Sequence, residues 1–104
     1  MTQCLIYMTA SNDAEARAIA RILVQERLAA CVNILAGMRS VYRWEGEIQE
    51  ESEIVLIAKT RRDRVPALTD RVTEIHSYDC PCVVAIPIDG GNPDFLDWID
   101  AETS

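Results

Sequence analysis

Basic residues are scarce in this 104-residue chain: ten Lys and Arg stand against seventeen Asp and Glu, for a net charge of −7. Such a balance repels phosphate backbones and anionic lipid, so no nucleic acid and no membrane insertion are expected. Long apolar runs are also missing, and the stretch 54–58 falls far short of the ~20 residues a bilayer crossing needs. The N-terminus lacks a basic region followed by an apolar one, which makes a cytoplasmic protein the expectation. Four cysteines are too few for a disulfide scaffold, and in a reducing compartment they read as packing residues or metal ligands. With a single histidine, no Gly-rich phosphate loop, no GxSxG turn and no Cys beside a second base, no catalytic constellation is left. No enzyme is expected.

What is present suffices for one core, and the length predicts a single domain over 1–104. Residues 3–9 carry Leu5, Ile6, Tyr7 and Met8 without a charge and read as a strand buried on both faces. Asn12 with Glu15 three residues on resembles a capping box, opening a helix over roughly 12–29 with Ala16, Ile19, Ala20 and Leu23 along one stripe. Residues 30–44 and 48–60 are rich in β-formers, and Glu45-Gly46 between them is a hairpin turn. At ~3.3 Å per residue these arms reach about 45 Å, whereas a globule of ~100 residues has a radius of gyration near 13 Å. Either Gly37 bends or bulges the first arm, or the tip projects and pairs with something else. A lone two-stranded ribbon is marginal in water, so another copy of the chain is its expected partner.

Asp63 is expected to cap a second helix through Val65, Leu68, Val72 and Ile75, with Pro66 in its first turn and its end near His76 or Ser77. Val83, Val84, Ala85, Ile86 and Ile88 predict another strand, closed by a turn over 89–93. Phe95, Leu96, Trp98 and Ile99 suit a short terminal helix started by Asn92 or Asp94. The order βαββαβ with an added helix predicts an α+β, ferredoxin-like sandwich with helices on one face of an antiparallel sheet.

The segment His76-Ser77-Tyr78-Asp79-Cys80-Pro81-Cys82 sets an imidazole four and six residues from two thiols, and an extended Cys80-Pro81-Cys82 points both sulfurs to one side. Thiolates with imidazole suit Cu(I), or zinc with a further ligand. The alternative is a helix-ending His76 with cysteines packed as small hydrophobes. Glu45, Glu47, Glu50, Glu51 and Glu53 crowd the hairpin, where alternation splits them between faces, so they read as a solvated edge-protecting ribbon. Tyr42, Trp44, Tyr78 and Trp98 either cap the core or anchor a subunit contact, with contact favoured for Trp44 beside the turn. Lys59, the only lysine, either forms a buried pair with a carboxylate such as Glu53 or snorkels at a strand end.

Several segments in order, Ala29-Ala30-Cys31-Val32-Asn33-Ile34, Tyr42-Arg43-Trp44-Glu45-Gly46, Lys59-Thr60, His76-x-Tyr78-x-x-Pro81 and Asp97-Trp98-Ile99, resemble the CutA divalent-cation tolerance family. The likeness runs from about Leu5 to Ile99. It implies a ferredoxin-like protomer in a homotrimer joined through the long hairpins, similar in shape to PII-type signalling trimers. It also implies a role in the response to metal ions, either with Cu(I), Cu(II) or zinc as the bound ion or through an inter-subunit cleft that senses a small ligand, and no established reaction. By motif position His76, Tyr78 and Pro81 match the family's histidine, tyrosine and proline, and Glu53 and Lys59 its hairpin acid and lysine. Met8 stands where some copper-binding members have Cys, Ile75 where some have a second His, and Cys82 where most have Glu. Met8, His76 and Cys82 form a soft set suited to Cu(I). The other reading is a non-catalytic trimeric scaffold that binds a protein partner without metal.

Overall fold

The computed structural model of the protein describes residues 2–104. Its elements run β1 (Gln3–Ala10), α1 (Asp13–Gln25), β2 (Cys31–Trp44), β3 (Glu47–Arg61), a 3₁₀ turn (Arg62–Arg64), α2 (Val65–Ile75), β4 (Val83–Pro87) and α3 (Pro93–Glu102). The strands form one sheet in the order β2-β3-β1-β4, every neighbour antiparallel. This is the expected ferredoxin-like α+β architecture.

Alternation along the central strands decides which face the helices cover. Cys4, Ile6, Met8 and Ala10 of β1 pair with Thr60, Ala58, Leu56 and Ile54 of β3, and this face packs against Ala16, Ile19 and Leu23 of α1 and Leu68 and Val72 of α2. Alanines on the α1 stripe, Ala16 and Ala20, bring its backbone close to the strands. The opposite face carries no helix over much of its extent. There Leu35, Val84 and Ile86 remain about half exposed.

The helix caps partly differ from what the sequence suggests. Asn12 Oδ1 accepts from the Glu15 amide at 2.8 Å, as a capping box predicts, while the Glu15 carboxylate reaches back to the Ser11 amide instead of that of Asn12. α1 ends at Gln25, short of 29, because Arg27 turns left-handed at φ 59°. The Leu28 amide then bonds the Leu23 carbonyl and the Arg27 amide the Val24 carbonyl, a Schellman closure without its usual glycine. Asp63 does not cap α2: it lies in the 3₁₀ turn and accepts from Arg61 Nε at 3.0 Å, and α2 starts after Arg64 with no side-chain cap. Asn92 caps α3, accepting from the Asp94 amide at 3.1 Å.

The long hairpin bulges at Gly37, and its tip also projects past the core. Between the pairs Leu35↔Val55 and Met38↔Glu53, two residues of β2, Ala36 and Gly37, oppose Ile54 alone, and Gly37 adopts φ 86°. This bulge flips the alternation. Val32 and Ile34 face the helices before it, whereas Met38, Ser40, Tyr42 and Trp44 share the opposite face with Glu53 after it. The ribbon then runs on to a tight turn in which Glu45 and Gly46 both take positive φ, as a type I′ connection demands. The molecule measures 44 × 25 × 22 Å, and its radius of gyration of 14.1 Å exceeds the ~13 Å of a sphere-like domain this size.

Candidate functional site

The segment after α2 crosses the end of β1 where the ribbon leaves the sheet, and several of the flagged side chains meet there. His76 is the C-cap of α2; its extended backbone (ψ 146°) stops the helix and turns the imidazole inward, where it is wholly buried. Its Nε2 donates to the Thr9 carbonyl at 2.7 Å, and its Nδ1 accepts from the Tyr78 amide at 3.0 Å. An amide is only a donor, so the ring is the Nε2–H tautomer with both nitrogens engaged by backbone. Glu15 Oε2 stands 3.9 Å from Nδ1 and instead takes the Ser77 amide at 2.8 Å. Burial pushes the Glu15 carboxyl up, but the bonds from Ser77 and Ser11 together outweigh it and hold it below the usual range.

Tyr78 stacks at a tilt on His76, with ring centroids 4.5 Å apart, and its hydroxyl donates to Glu53 Oε2 at 2.6 Å. Ser40 Oγ donates to the other oxygen of the same carboxylate at 2.5 Å. Glu53 is buried, yet among the described residues it has hydroxyl donors and no basic partner. Its negative field is felt by its neighbours. Burial first and Glu53 second push the Tyr78 phenol well above its ordinary value, and burial, Glu53 and Cys80 in that order raise the Cys82 thiol. One chain of contacts thus ties the Thr9 carbonyl, His76, Tyr78, Glu53 and Ser40 into a unit that spans β1, the end of α2, β3 and β2.

Among the predicted metal donors, Cys82 lies half-buried within reach of the Glu53 field and Cys80 is exposed beside it; both are free thiols. Met8 is fully buried among Leu56 and the helix residues, on the sheet face opposite the one that carries Glu53. The four donors do not converge on one point. Among the described residues, no group of three or more His, Cys, Asp and Glu side chains is arranged around a metal position. The Glu53–Lys59 pair, one of the two readings of Lys59, does not form within the chain: six residues apart on one strand, they are separated by about 20 Å, and Lys59 Nζ bonds Asn33 Oδ1 instead. Tyr42 and Trp44 stand partly exposed on the ribbon, and Trp98 is partly exposed on α3, its ring 5.4 Å from that of Phe95.

Sequence reasoning missed Ser40, Thr9 and Asn33. Ser40 lies in a β-rich run with nothing to mark it, and Thr9 contributes a backbone carbonyl that any residue would supply.

The family described as CutA1 divalent ion tolerance protein matches residues 4–102. The divalent-cation tolerance protein CutA of Thermus thermophilus is 46% identical over 99 residues, covering 95% of this chain and 96% of that protein. Protein CutA, chloroplastic, of Arabidopsis thaliana is also 46% identical over 99 residues, but the match spans only 54% of that longer protein. The crystal structure of CutA1 from Oryza sativa superimposes with a TM-score of 0.97 at 42% identity, covering 100% of this chain and 95% of that one. A match over nearly the whole length, in sequence and in the hairpin-bearing sheet alike, makes this chain a member of the CutA1 divalent ion tolerance family.

Proposed function

We propose that the protein acts in the response to metal ions as a homotrimer, without catalysing a reaction, and that it meets the metal through Cys80 and Cys82. The observation that carries this reading is a pair of free thiols two residues apart, one exposed and one half-buried, next to a buried carboxylate that has no basic partner among the described residues. A nearby negative charge disfavours loss of the thiol proton to water but favours its replacement by a cation. Two thiolates without a third ligand suit Cu(I) better than zinc, which takes four ligands. His76 then acts as the inner support of the segment, because both of its nitrogens hold backbone. Met8 stays a packing residue unless the sheet opens. Four free cysteines are consistent with a reducing compartment such as the cytoplasm.

Trimer formation is supported by the half-exposed apolar sheet face and by a ribbon that extends past the core. Copies packed face to face would cover Leu35, Val84 and Ile86, and would give Tyr42 and Trp44 a surface to pack against. The same exposed ribbon favours a second reading, a trimeric scaffold that presents its surface to a protein partner while its thiols only pack. Competition for Cu(I) against a chromophoric chelator separates the two. The metal reading expects about one Cu(I) per chain, lost in the Cys80→Ser, Cys82→Ser double variant. Failure of the wild type to take Cu(I) from the chelator at micromolar protein leaves the scaffold reading standing.

A further inference from the structure

Two opposite charges are left over on one face of the sheet. Glu53 is buried at the base of the ribbon, where its carboxylate accepts from Tyr78 and Ser40 and, among the described residues, meets no basic side chain. Lys59 is the only lysine of the chain, and its ammonium bonds Asn33 Oδ1 and, among the described residues, no carboxylate. A carboxylate has about four acceptor sites and an ammonium three donors, so each group keeps room for the other.

Strand geometry puts both on the same side and keeps them apart. The bulge lies in β2, so β3 alternates without interruption, and positions 53 and 59 both face away from α1 and α2. Six residues along one strand separate them by about 20 Å, which no lysine side chain spans. Other basic groups do not fill the place. Arg61, on the same face, is held by Asp63 at 3.0 Å. Arg39 and Arg43 alternate onto the other face of the ribbon, and the remaining arginines stand on or beside the helices.

A buried carboxylate without a cation is costly, because its charge has lost water and gained only neutral donors. The face that carries both leftover groups is the one assigned above to contact between copies. We propose that Lys59 of a neighbouring copy completes the Glu53 cluster, so that each copy gives its carboxylate to one neighbour and its ammonium to the other. A closed ring of three then leaves neither charge unpaired. The pair places the α3 end of one sheet, where Lys59 stands beside Phe95 and Leu96, against the ribbon base of the next. It also suits the loaded thiol site, since Cu(I) held by two thiolates carries a net charge of −1 and, beside Glu53, calls for a cation.

The inference rests on the reading that copies cover the open face, and its test is a double-mutant cycle on assembly, read by sedimentation of the full chain. Lys59→Met and Glu53→Gln are each expected to weaken association roughly tenfold or more, and the double variant by much less than the product of the two. Gln keeps an acceptor for Tyr78 and Ser40, and circular dichroism checks that each variant folds. A second measurement needs no variant. Carbodiimide joins carboxylates to amines in direct contact, and peptide masses identify a product made by a single lysine. The wild type is expected to give a two-chain product linking Glu53 to Lys59. Independent, multiplying losses in the cycle, a Lys59→Met chain that assembles as tightly as the wild type, or a wild-type trimer in which Lys59 joins another carboxylate or none each overturns the pair while the trimer stands. A wild type at the single-chain mass removes the trimer reading and the pair together.

Discussion

The two halves of the long hairpin share one antiparallel ladder and live in different surroundings. On the core side of the bulge, Leu56 and Ala58 are wholly buried between helix and sheet; on the far side, Val41 and Ile48 are 65% and 62% exposed. Both halves keep their ladder pairs, so hydrogen bonding does not distinguish them. The difference is that the inner half has helices over one face, and the outer half has only its own second strand. An isolated ribbon gains too little burial to offset its ordering entropy. The outer half therefore points to a source of burial outside the protomer, and the bulge at Ala36 and Gly37 marks where the protomer's own core stops. The Glu53 cluster sits at that border, where it can respond to both sides.

The largest expected contrast comes from truncation on either side of the border. Leu56→Ala removes a fully buried side chain and is expected to cost about 2–5 kcal/mol in denaturant unfolding. Ile48→Ala in a lone protomer should cost well under about 1 kcal/mol. A large, concentration-dependent loss for Ile48→Ala would identify that residue as covered by another copy. An equally small loss for Leu56→Ala would break the comparison.

Next in size is the border itself. Tyr78→Phe deprives the buried Glu53 carboxylate of one of its two hydroxyl donors, and hydrogen bonds to charged groups are worth about 1.5–3 kcal/mol. The pH response has a definite sign. Tyr78 and Cys82 both titrate higher in the folded chain than their ordinary values of 10.0 and 9.0, chiefly through burial and then through Glu53. The folded state therefore holds those protons longer than the unfolded chain does. The stability so gained is complete below the ordinary values and is lost as pH climbs through the folded ones. Denaturation midpoints followed upward from pH 9.0 should fall more steeply for the wild type than for the Tyr78→Phe, Cys82→Ser variant.

Gly37→Ala probes the bulge by backbone strain alone, because an added Cβ there would meet nothing within 4 Å while φ stays at 86°. A loss of about 1–2 kcal/mol is expected, and an unchanged midpoint would mean that the bulge relaxes without consequence. The smallest effect belongs to the ribbon surface. Arg39 bridges Glu50 at 3.1 Å with both side chains more than half exposed, so Arg39→Ala should cost no more than about 0.2–1 kcal/mol and less in salt.

The fold was legible because its signals are local and periodic. The α1 stripe, the charge-free strands and the Glu45-Gly46 turn each need only neighbouring residues to be read. Boundaries failed where a residue acts against its type: Arg27 closes α1 in a conformation usually left to glycine, and Asp63 bonds Arg61 instead of a helix amide. At the site, residue types could flag His76, Tyr78, Cys82 and Glu53, and motif order strengthened the first, second and last. Which way the imidazole faces could not be read, since it depends on a carbonyl 67 residues away. Strand spacing alone argues against a Glu53–Lys59 pair within one chain. What Lys59 does instead depends on Asn33 and on α3, which only the folded arrangement brings near it.

We propose that other copies of the same chain cover the outer ribbon and the open sheet face. Sedimentation equilibrium at micromolar concentration, with circular dichroism on the same sample, tests it most directly. A folded species of three times the 11.7 kDa chain mass is expected. A well-folded species at the single-chain mass would contradict it.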